Sequence, residues 1–195
     1  MANSTPQDRP PAPLSNSQGS PVLSLHGRTA VVTGAGRGLG RAAALALAQA
    51  GARLALLGRT PESLQEVASA IQAAGGAAEA IPTDVTDESQ LERAAAKVSE
   101  RLGGADILIN NAGEAPVGPL LQARAADIER LLRINVVAAM TCARVFGAHM
   151  VQKRRGRVIN IASVAGLTGE SNTCLYAASK GALIEIGRAS CRERV

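Results

Sequence analysis

A glycine-rich segment near residue 35 constrains the fold of this chain more than any other feature of its sequence. The segment follows a short β-branched run, Thr29–Thr33, and precedes an Ala- and Leu-rich, helix-forming stretch at residues 41–50. Glycines between a buried strand and a helix let the backbone approach a pyrophosphate, and the helix N-terminus offers free N–H groups to the phosphates. The segment therefore predicts dinucleotide binding, with Gly34, Gly38 and Gly40 in the turn.

Short apolar runs alternate with helical patterns along the chain. We expect strands near residues 28–33, 53–57, 77–81, 106–109 and 156–162, and helices near residues 39–50, 61–74, 87–102, 124–152 and from about 175. This alternation predicts an α/β fold: a doubly wound parallel sheet, or Rossmann fold, with helices on both faces. The apolar content of 46% suffices for one domain with a sizeable core.

The N-terminal segment, residues 1–24, differs in composition from the rest of the chain. It holds five of the nine prolines and almost no large apolar side chains, so we expect a disordered tail. It lacks a basic stretch followed by an apolar one, which argues against a secretory signal. No apolar run approaches the length of a membrane span, and we expect a cytoplasmic protein without a membrane partner.

Composition and charge argue against nucleic-acid and metal binding. Phe146 and Tyr176 are the only aromatic residues, whereas proteins that bind single-stranded nucleic acid rely on aromatic stacking. The net charge of +5 comes in part from residues 153–157 at the end of a predicted helix, where cations offset the helix dipole. The three cysteines are scattered, so we expect neither a disulfide framework nor a metal site.

Tyr176 is the only tyrosine of the chain, and it lies four residues before Lys180 and thirteen after Ser163. A spacing of four places Tyr176 and Lys180 on one face of a helix, one turn apart. A phenol has a reference pKa of about 10, and an ammonium beside it favours the ionised form. A Tyr-x-x-x-Lys pair is also common on amphipathic helices, so the three residues are candidates for proton transfer only in combination with the glycine segment.

The charge at the end of the second predicted strand bears on the choice of dinucleotide. Sites for NAD place a carboxylate there, against the ribose hydroxyls. Residues 56–59 carry no carboxylate, and Arg59 lies where a 2′-phosphate would bind, with Arg37 in the glycine segment as a second candidate. A guanidinium suits a phosphate dianion, so we favour NADP(H) over NAD(H). The alternative is that both arginines are solvated surface groups.

Several motifs in register resemble the short-chain dehydrogenase/reductase family, in its classical branch, over about residues 25–185. Residues 33–40 are similar to the family's cofactor loop, and Asp84 and Val85 resemble the acidic pair that holds the adenine ring. Residues 110–113, Asn-Asn-Ala-Gly, resemble the turn after the fourth strand. The catalytic tetrad is matched in order and spacing by Asn135, Ser163, Tyr176 and Lys180.

The resemblance, together with the two arginines, predicts one cofactor site on a catalytic domain that spans residues 25–185. Its expected members are Gly34, Arg37, Gly38, Leu39, Gly40, Arg59, Asp84, Val85, Asn111, Ala112, Gly113, Tyr176 and Lys180.

A reversible hydride transfer between a nicotinamide and a carbonyl or secondary alcohol carbon is the reaction that the resemblance implies. Tyr176 would exchange a proton with the substrate oxygen, and Ser163 would hold that oxygen in place. Lys180 would favour the ionised phenol and bind the nicotinamide ribose. Asn135 would anchor a water that relays protons to Lys180; for this residue alone, a satisfied amide of the core is the alternative.

Within the family, the chain most resembles 3-oxoacyl-acyl-carrier-protein reductases, with gluconate 5-dehydrogenase-like sugar or polyol oxidoreductases as an alternative. A non-catalytic dinucleotide-binding module is the alternative from another class, although such a module has no need of Tyr176. The resemblance also implies a homotetramer or homodimer built on the helix near residues 124–152 and on the helix after it. We expect the protein to act on a small molecule rather than on nucleic acid.

The C-terminal end departs from the family pattern. Family members continue past the Tyr-Lys helix with a further strand, a Pro-Gly turn and a substrate lid, whereas the apolar periodicity of this chain stops near Gly187. We therefore expect a C-terminally incomplete sheet, and we interpret residues 186–195 as a non-native, artefactual tail joined to a truncated gene. The fifth strand would then be an exposed apolar edge, with low solubility and little turnover as the expected result.

Overall fold

Parallel strands and helices alternate through residues 24–190, the part of the chain that the computed structural model describes. The strands are β1 (Thr29–Thr33), β2 (Arg53–Gly58), β3 (Ala78–Pro82), β4 (Ile107–Asn110) and β5 (Arg157–Asn160). The helices are α1 (Gly38–Gln49), α2 (Pro61–Ala73), α3 (Glu88–Leu102), α4 (Ala125–Leu132), α5 (Ala138–Gln152), α6 (Ala165–Thr168) and α7 (Cys174–Ser190). A 3₁₀ turn lies at Leu120–Gln122, and a π-helical turn, Arg133–Val137, joins α4 to α5.

The five strands form a single sheet in the order β3-β2-β1-β4-β5, and every neighbouring pair is parallel. The chain therefore leaves β3 at one edge and returns beside β1 as β4, so the strand order reverses between β1 and β4. In open α/β sheets, ligands bind in the crevice outside the carboxyl ends of the strands at such a reversal. The predicted doubly wound α/β fold is confirmed.

The core lies on both faces of the sheet. Along β2, Leu54 and Leu56 pack with α1 and α2 on one face, while Ala55 and Leu57 pack with α3 and α5 on the other. All four side chains are fully buried. Continuous apolar strands of this kind are typical of parallel sheets covered by helices on both sides.

Asp106 ties together the amino ends of three strands. Its buried carboxylate accepts a hydrogen bond from the backbone N–H of Thr29 at 3.0 Å and pairs with Arg155 at 3.2 Å and Arg28 at 3.6 Å. Burial alone would raise the pKa of Asp106, but the Thr29 hydrogen bond and the nearby cations Arg155, Lys153 and Arg28 outweigh it and lower the pKa below its ordinary value. This carboxylate is therefore held ionised at the end of the sheet opposite the ligand crevice.

Three local features differ from the sequence expectation. The helix expected at residues 124–152 is present, but the π-helical turn interrupts its α-helical geometry. The strand expected at residues 156–162 ends at Asn160, because the backbone turns there: the N–H of Ala162 bonds back to the carbonyl of Asn160 at 3.0 Å. The short α6 was not expected, and it begins where the Ser163 hydroxyl accepts from the N–H of Ala165 at 3.2 Å.

The expected disordered tail, residues 1–24, lies outside the described residues except for Ser24. At the other end, α7 continues through Gly187 to Ser190, and residues 191–195 lie outside the described range. The interpretation of residues 186–195 as a non-native tail, and the domain bounds 25–185, stay predictions.

Residues 125–152 form one continuous helix within the described chain that is long and apolar enough to cross a membrane, by length and composition alone. The expectation that no apolar run approaches a membrane span is therefore wrong for this segment. A core helix of a soluble protein passes the same test, and here Cys142, Phe146 and Met150 are buried against the sheet. One face of this helix is therefore part of the core of the sheet.

The outer side of β5 is the exposed edge of the sheet. Within residues 24–190 no strand pairs with it, and Val158 and Ile159 are 42% and 44% exposed. An unpaired apolar edge strand is a template for pairing with another chain.

We predict that Val158→Lys reduces self-association of the protein severalfold, because a charge on an edge strand disfavours intermolecular pairing. Light scattering at matched concentrations measures the effect, and circular dichroism checks that the fold is kept. Leu120→Lys is the matched control, since Leu120 is also an exposed apolar residue but lies in the 3₁₀ turn, away from the strand edge. An equal reduction in both variants would contradict association through the strand edge.

Candidate functional site

The glycine segment forms one wall of a cleft at the carboxyl ends of β1 and β2. Gly34 and Gly38 have φ angles of +64° and +55°, which residues with side chains rarely adopt. Space is limiting as well, because a Cβ atom at Gly40 would lie 2.2 Å from the carbonyl oxygen of Gly34 and 2.5 Å from the Asn111 amide nitrogen. Both the turn and its close packing on β4 therefore require glycine.

Asn111 holds the glycine turn in shape. Its side-chain amide donates hydrogen bonds to the carbonyl oxygens of Thr33 and Gly34, at 3.0 and 3.2 Å. In return, the Thr33 hydroxyl oxygen accepts from the N–H groups of Asn111 and Ala112, both at 3.0 Å. The side chain of Asn111 is thus engaged within the protein, where it shapes the turn that the sequence predicted to contact a cofactor.

The cleft has a volume of about 610 Å³, within the usual range for small-molecule sites. Most of the predicted cofactor residues line it: Gly34, Arg37, Gly38, Leu39, Arg59, Asp84, Val85, Asn111, Ala112 and Gly113. Gly40, Tyr176 and Lys180 do not. A larger opening, of about 1,110 Å³, lies at the amino ends of β4 and β5 and contains none of the predicted site residues, so the smaller cleft is the relevant one.

The start of α1 is suited to hold phosphate. Its N-cap residue, Arg37, makes no capping hydrogen bond with its side chain, whereas α3 is capped by the carboxylate of Asp87. An uncapped helix start leaves backbone N–H groups and a positive dipole end for an anion. Arg37 and Arg59 are exposed and line the same cleft. The uncapped helix start fits the diphosphate of a dinucleotide, and the two arginines supply positive charge elsewhere on the cleft wall.

Asp84 and Val85 lie on the cleft wall after β3. The Asp84 carboxylate accepts from the backbone N–H and the hydroxyl of Thr86, at 2.9 and 2.7 Å, and its own N–H donates to Gln90 at 2.9 Å. These bonds fix the loop against the start of α3. Val85 is 93% buried in the core, so only its edge reaches the cleft.

Tyr176 and Lys180 lie on the same face of α7, as their spacing predicted. The Lys180 Nζ atom is 5.8 Å from the centre of the Tyr176 ring and donates a hydrogen bond to the carbonyl of Ile161 at 2.6 Å. Lys180 is 6% exposed. Burial lowers the pKa of Lys180 below its ordinary value of 10.5.

Asn135 is the middle residue of the π-helical turn and is almost fully buried. Its Oδ1 atom accepts from the N–H of Glu114 at 2.8 Å, and its Nδ2 group donates to the Glu114 carbonyl and to the Ser179 hydroxyl, both at 2.9 Å. A Cβ atom at Gly113 would lie 2.9 Å from Asn135 Oδ1 and 3.8 Å from Lys180 Nζ. Asn135 and Lys180 therefore meet at the Gly113 end of the cleft.

Ser163 lies in the loop between β5 and α6, three residues after the strand ends. Among the described residues it makes no hydrogen bond with Tyr176, and its hydroxyl accepts from the N–H of Ala165 instead. α6 itself packs tightly on α7, because a Cβ atom at Gly166 would lie 2.7 Å from the backbone nitrogen of Gly181. The structure thus brings Asn135, Tyr176 and Lys180 together and places Ser163 on the neighbouring helix start.

Glu114 and Ser179 are site residues that the sequence reading missed. Both contact Asn135 directly, Glu114 through its backbone and Ser179 through its hydroxyl. Only their positions in the sequence could have indicated these two residues. Glu114 directly follows the Asn-Asn-Ala-Gly turn, and Ser179 lies between Tyr176 and Lys180. Neither residue type is distinctive enough to be singled out without the contacts.

Comparisons with known proteins are consistent with this arrangement. The family model described as short chain dehydrogenase matches residues 28–194. The ketoacyl reductase HetN of a Nostoc species is 39% identical over 163 residues, which cover 84% of this chain and 57% of that protein. The chain thus spans little more than half the length of this curated relative.

Two solved structures illustrate the similarity in three dimensions. A gluconate 5-dehydrogenase from Burkholderia cenocepacia, in complex with NADP and tartrate, is 34% identical with a TM-score of 0.83, over 87% of this chain and 66% of that one. An NAD⁺-bound xylitol dehydrogenase is 34% identical with a TM-score of 0.82, over 85% of this chain and 64% of that one. Neighbours of equal similarity therefore carry different nicotinamide cofactors.

We predict that Lys180 makes the free energy of unfolding depend on alkaline pH. Its pKa is lowered in the folded protein, so the folded protein releases this proton at lower pH than the unfolded chain does. Stability due to Lys180 is therefore lowest below the folded pKa and rises as the pH increases toward 10.5. The stability difference between the native protein and Lys180→Met should rise over this window, by at most about 1.4 kcal/mol per pH unit.

Urea unfolding of both proteins at several pH values measures this difference. Lys97→Met, on the exposed side of α3, controls for the loss of a surface lysine. A difference between native protein and Lys180→Met that stays constant from neutral to alkaline pH would show that burial of the ammonium carries no cost.

Proposed function

The chain belongs to the short-chain dehydrogenase family, and from this premise we propose that the protein is a nicotinamide-dependent oxidoreductase acting on a carbonyl or secondary alcohol. One observation carries the proposal: the buried Lys180 ammonium lies beside the ring of the only tyrosine, next to the Gly113 end of a cleft suited to a dinucleotide. A module that only binds a dinucleotide has no use for this pair.

The cofactor would be held by the uncapped start of α1, the glycine turn and the wall formed by Asp84 and Val85. A nicotinamide cofactor, when bound, supplies or accepts the hydride. Tyr176 would give a proton to the substrate oxygen during reduction and take it back during oxidation. Lys180 would bind the nicotinamide ribose, and the Ser163 hydroxyl would hold the substrate oxygen as a fixed donor.

Asn135 would serve this reaction by positioning. Its amide is satisfied by protein groups, which matches the alternative of a core amide as far as the side chain is concerned. Its location beside Gly113 and Lys180 is nevertheless where a proton path to Lys180 would begin. A core amide and an anchor for the proton-relay water are compatible roles. The hydrogen bonds that fix the side chain also hold the backbone around residue 135 in one position, where it would bind the water.

NADP(H) is the cofactor that we propose over NAD(H). Arg37 and Arg59 line the cleft from two sides, one before α1 and one after β2, and the end of β2 carries no carboxylate. Two guanidinium groups favour a 2′-phosphate, which NAD lacks. A similar gluconate 5-dehydrogenase binds NADP, whereas a similar xylitol dehydrogenase binds NAD⁺.

A 3-oxoacyl thioester is the substrate class that we propose first, with a sugar or polyol as the second candidate. The loop after β4 presents the apolar side chains of Val117, Leu120 and Leu121, all more than half exposed. This loop is joined to the segment before α7 by the bond from Gly118 N–H to the Asn172 carbonyl at 2.7 Å. Apolar groups on a loop bonded to the segment before α7 suit an acyl chain better than a polyol, and the similar Nostoc protein is a ketoacyl reductase.

We also propose a cytoplasmic homodimer or homotetramer for the complete protein. Val137, Met140 and Val151 are each about half exposed along residues 125–152, and apolar side chains on one long helix suit packing against a second copy. The partner class is a small molecule, and neither nucleic acid nor a membrane is proposed.

In the full-length protein, Tyr176→Phe is expected to lower NADPH-dependent reduction of a 3-oxoacyl substrate by about 10²- to 10⁴-fold, because the general acid is lost while the ring is kept. NADPH affinity should stay within about twofold of the native value, since the ring hydroxyl is not part of the phosphate site. Nicotinamide fluorescence measures binding without interference, as the chain has no tryptophan. Equal turnover in this variant would end the proposal of catalysis by Tyr176.

Arg37→Ala and Arg59→Ala are each expected to weaken NADPH binding about 10- to 100-fold while leaving NADH binding nearly unchanged, because each removes a charged hydrogen-bond donor to the 2′-phosphate. Titration of both cofactors measures the ratio of their affinities. Arg41→Ala is the matched control: Arg41 is exposed in the first turn of α1 but does not line the cleft. Equal losses for NADPH and NADH would place both arginines outside the 2′-phosphate site.

A further inference from the structure

Ser179 is a fully buried hydroxyl between the two residues proposed to move the proton. It belongs to α7 and is 0% exposed. Its Oγ atom accepts a hydrogen bond from Asn135 Nδ2 at 2.9 Å and donates one to the backbone carbonyl of Tyr176 at 2.8 Å. A hydroxyl has one hydrogen to donate, so these two contacts define its orientation.

The contacts of Asn135 are complementary to those of Ser179. The Oδ1 atom of Asn135 accepts from the Glu114 N–H, and one Nδ2 hydrogen goes to the Glu114 carbonyl. The second Nδ2 hydrogen goes to Ser179. Only one orientation of the amide satisfies all three bonds, because exchanging its O and N atoms would set donor against donor at the Glu114 N–H.

A serine in a helix often donates to the carbonyl three or four residues earlier, and such a bond is a local feature of the helix. This accounts for the bond to Tyr176 alone. It does not account for the bond from Asn135, which comes from a residue 44 positions away. The hydroxyl therefore connects the loop after β4, the π-helical turn and the first turns of α7 in one chain of hydrogen bonds.

We propose that Ser179 is a positioning residue for the proton-transfer site: it holds the α7 turn that carries Tyr176 and Lys180 at a fixed place relative to Asn135 and the Gly113 end of the cleft. The inference rests on the proposed function and extends it to a residue that does not touch the substrate.

Removal of this hydroxyl leaves a buried N–H of Asn135 without its acceptor and detaches the α7 turn from the π-helical turn. A displacement of about 1 Å at reacting groups costs up to about 100-fold in rate. None of the contacts of Ser179 involves the start of α1, where the phosphate site is proposed. Ser179 should therefore affect turnover much more than binding.

Ser179→Ala is the variant that tests the inference. We expect kcat to fall about 10- to 100-fold, with KM and the NADPH dissociation constant within about threefold of the native values. Ser99→Ala is the matched control, because Ser99 also lies within a helix but is exposed and makes no side-chain hydrogen bond within residues 24–190. It should leave kcat unchanged.

A second measurement is independent of turnover. Tyr176 is the only tyrosine, so isotope labelling of tyrosine produces ring signals from this residue alone in a nuclear magnetic resonance spectrum. These signals should shift or broaden in Ser179→Ala and stay in place in Ser99→Ala. If Ser179→Ala does not fold, Ser179→Cys keeps the branching of the side chain, with a somewhat larger atom that is a weaker donor and acceptor, and it should give an intermediate effect on both kcat and the ring signals.

Each outcome distinguishes the inference from the function on which it rests. Normal kcat with unmoved ring signals in a folded Ser179→Ala, or an unmoved signal in Ser179→Cys if only that variant folds, would overturn the positioning role alone. A loss of kcat that is matched by an equal loss of folded protein would overturn it too. Full turnover in Tyr176→Phe would instead remove the proposed function, whatever Ser179 does.

Discussion

The hydrogen bonds made by the turn after β4, residues 110–114, are the constraint on which the rest of the site depends. Asn110 ties this turn to β5 and α5 through the Asn160 side chain and the Ala139 carbonyl. Asn111 holds the glycine turn through hydrogen bonds from its side-chain amide to two backbone carbonyl oxygens of the turn. Glu114 holds the Asn135 amide through its backbone. One short turn therefore sets both the cofactor wall and the place where Asn135 meets Lys180.

Burial of Lys180 shows how a site of this kind conflicts with stability. An ammonium that is 6% exposed and has one hydrogen bond to a backbone carbonyl is costly to keep charged. The nearby aromatic ring gives limited compensation at 5.8 Å. Burial lowers the pKa of Lys180, and groups with shifted pKa values are common at sites of proton transfer. The fold tolerates it because the two-sided apolar core of the sheet provides the stability elsewhere.

The parts of the structure that follow from neighbouring residues were predicted from the sequence. The sheet follows from the alternation of apolar runs, and the shared face of Tyr176 and Lys180 follows from a spacing of four. Contacts between distant residues were not predicted, because periodicity carries no information about them. Thr33 and Asn111 are 78 positions apart, and Asn135 and Ser179 are 44 apart. The start of α6 at Ser163 depends likewise on where β5 stops pairing with β4.

The π-helical turn at Arg133–Val137 limits how the length of this helix can change. A π-helical turn is equivalent to one residue inserted into an α-helix, and each residue rotates the following side chains by about 100°. Deletion of a single residue here would give a regular helix and turn its second half around its axis. The buried face of α5 and the inward amide of Asn135 would then no longer face the sheet and the site together. The π-helical turn therefore lets one helix pack α5 against the sheet and also direct Asn135 toward the site.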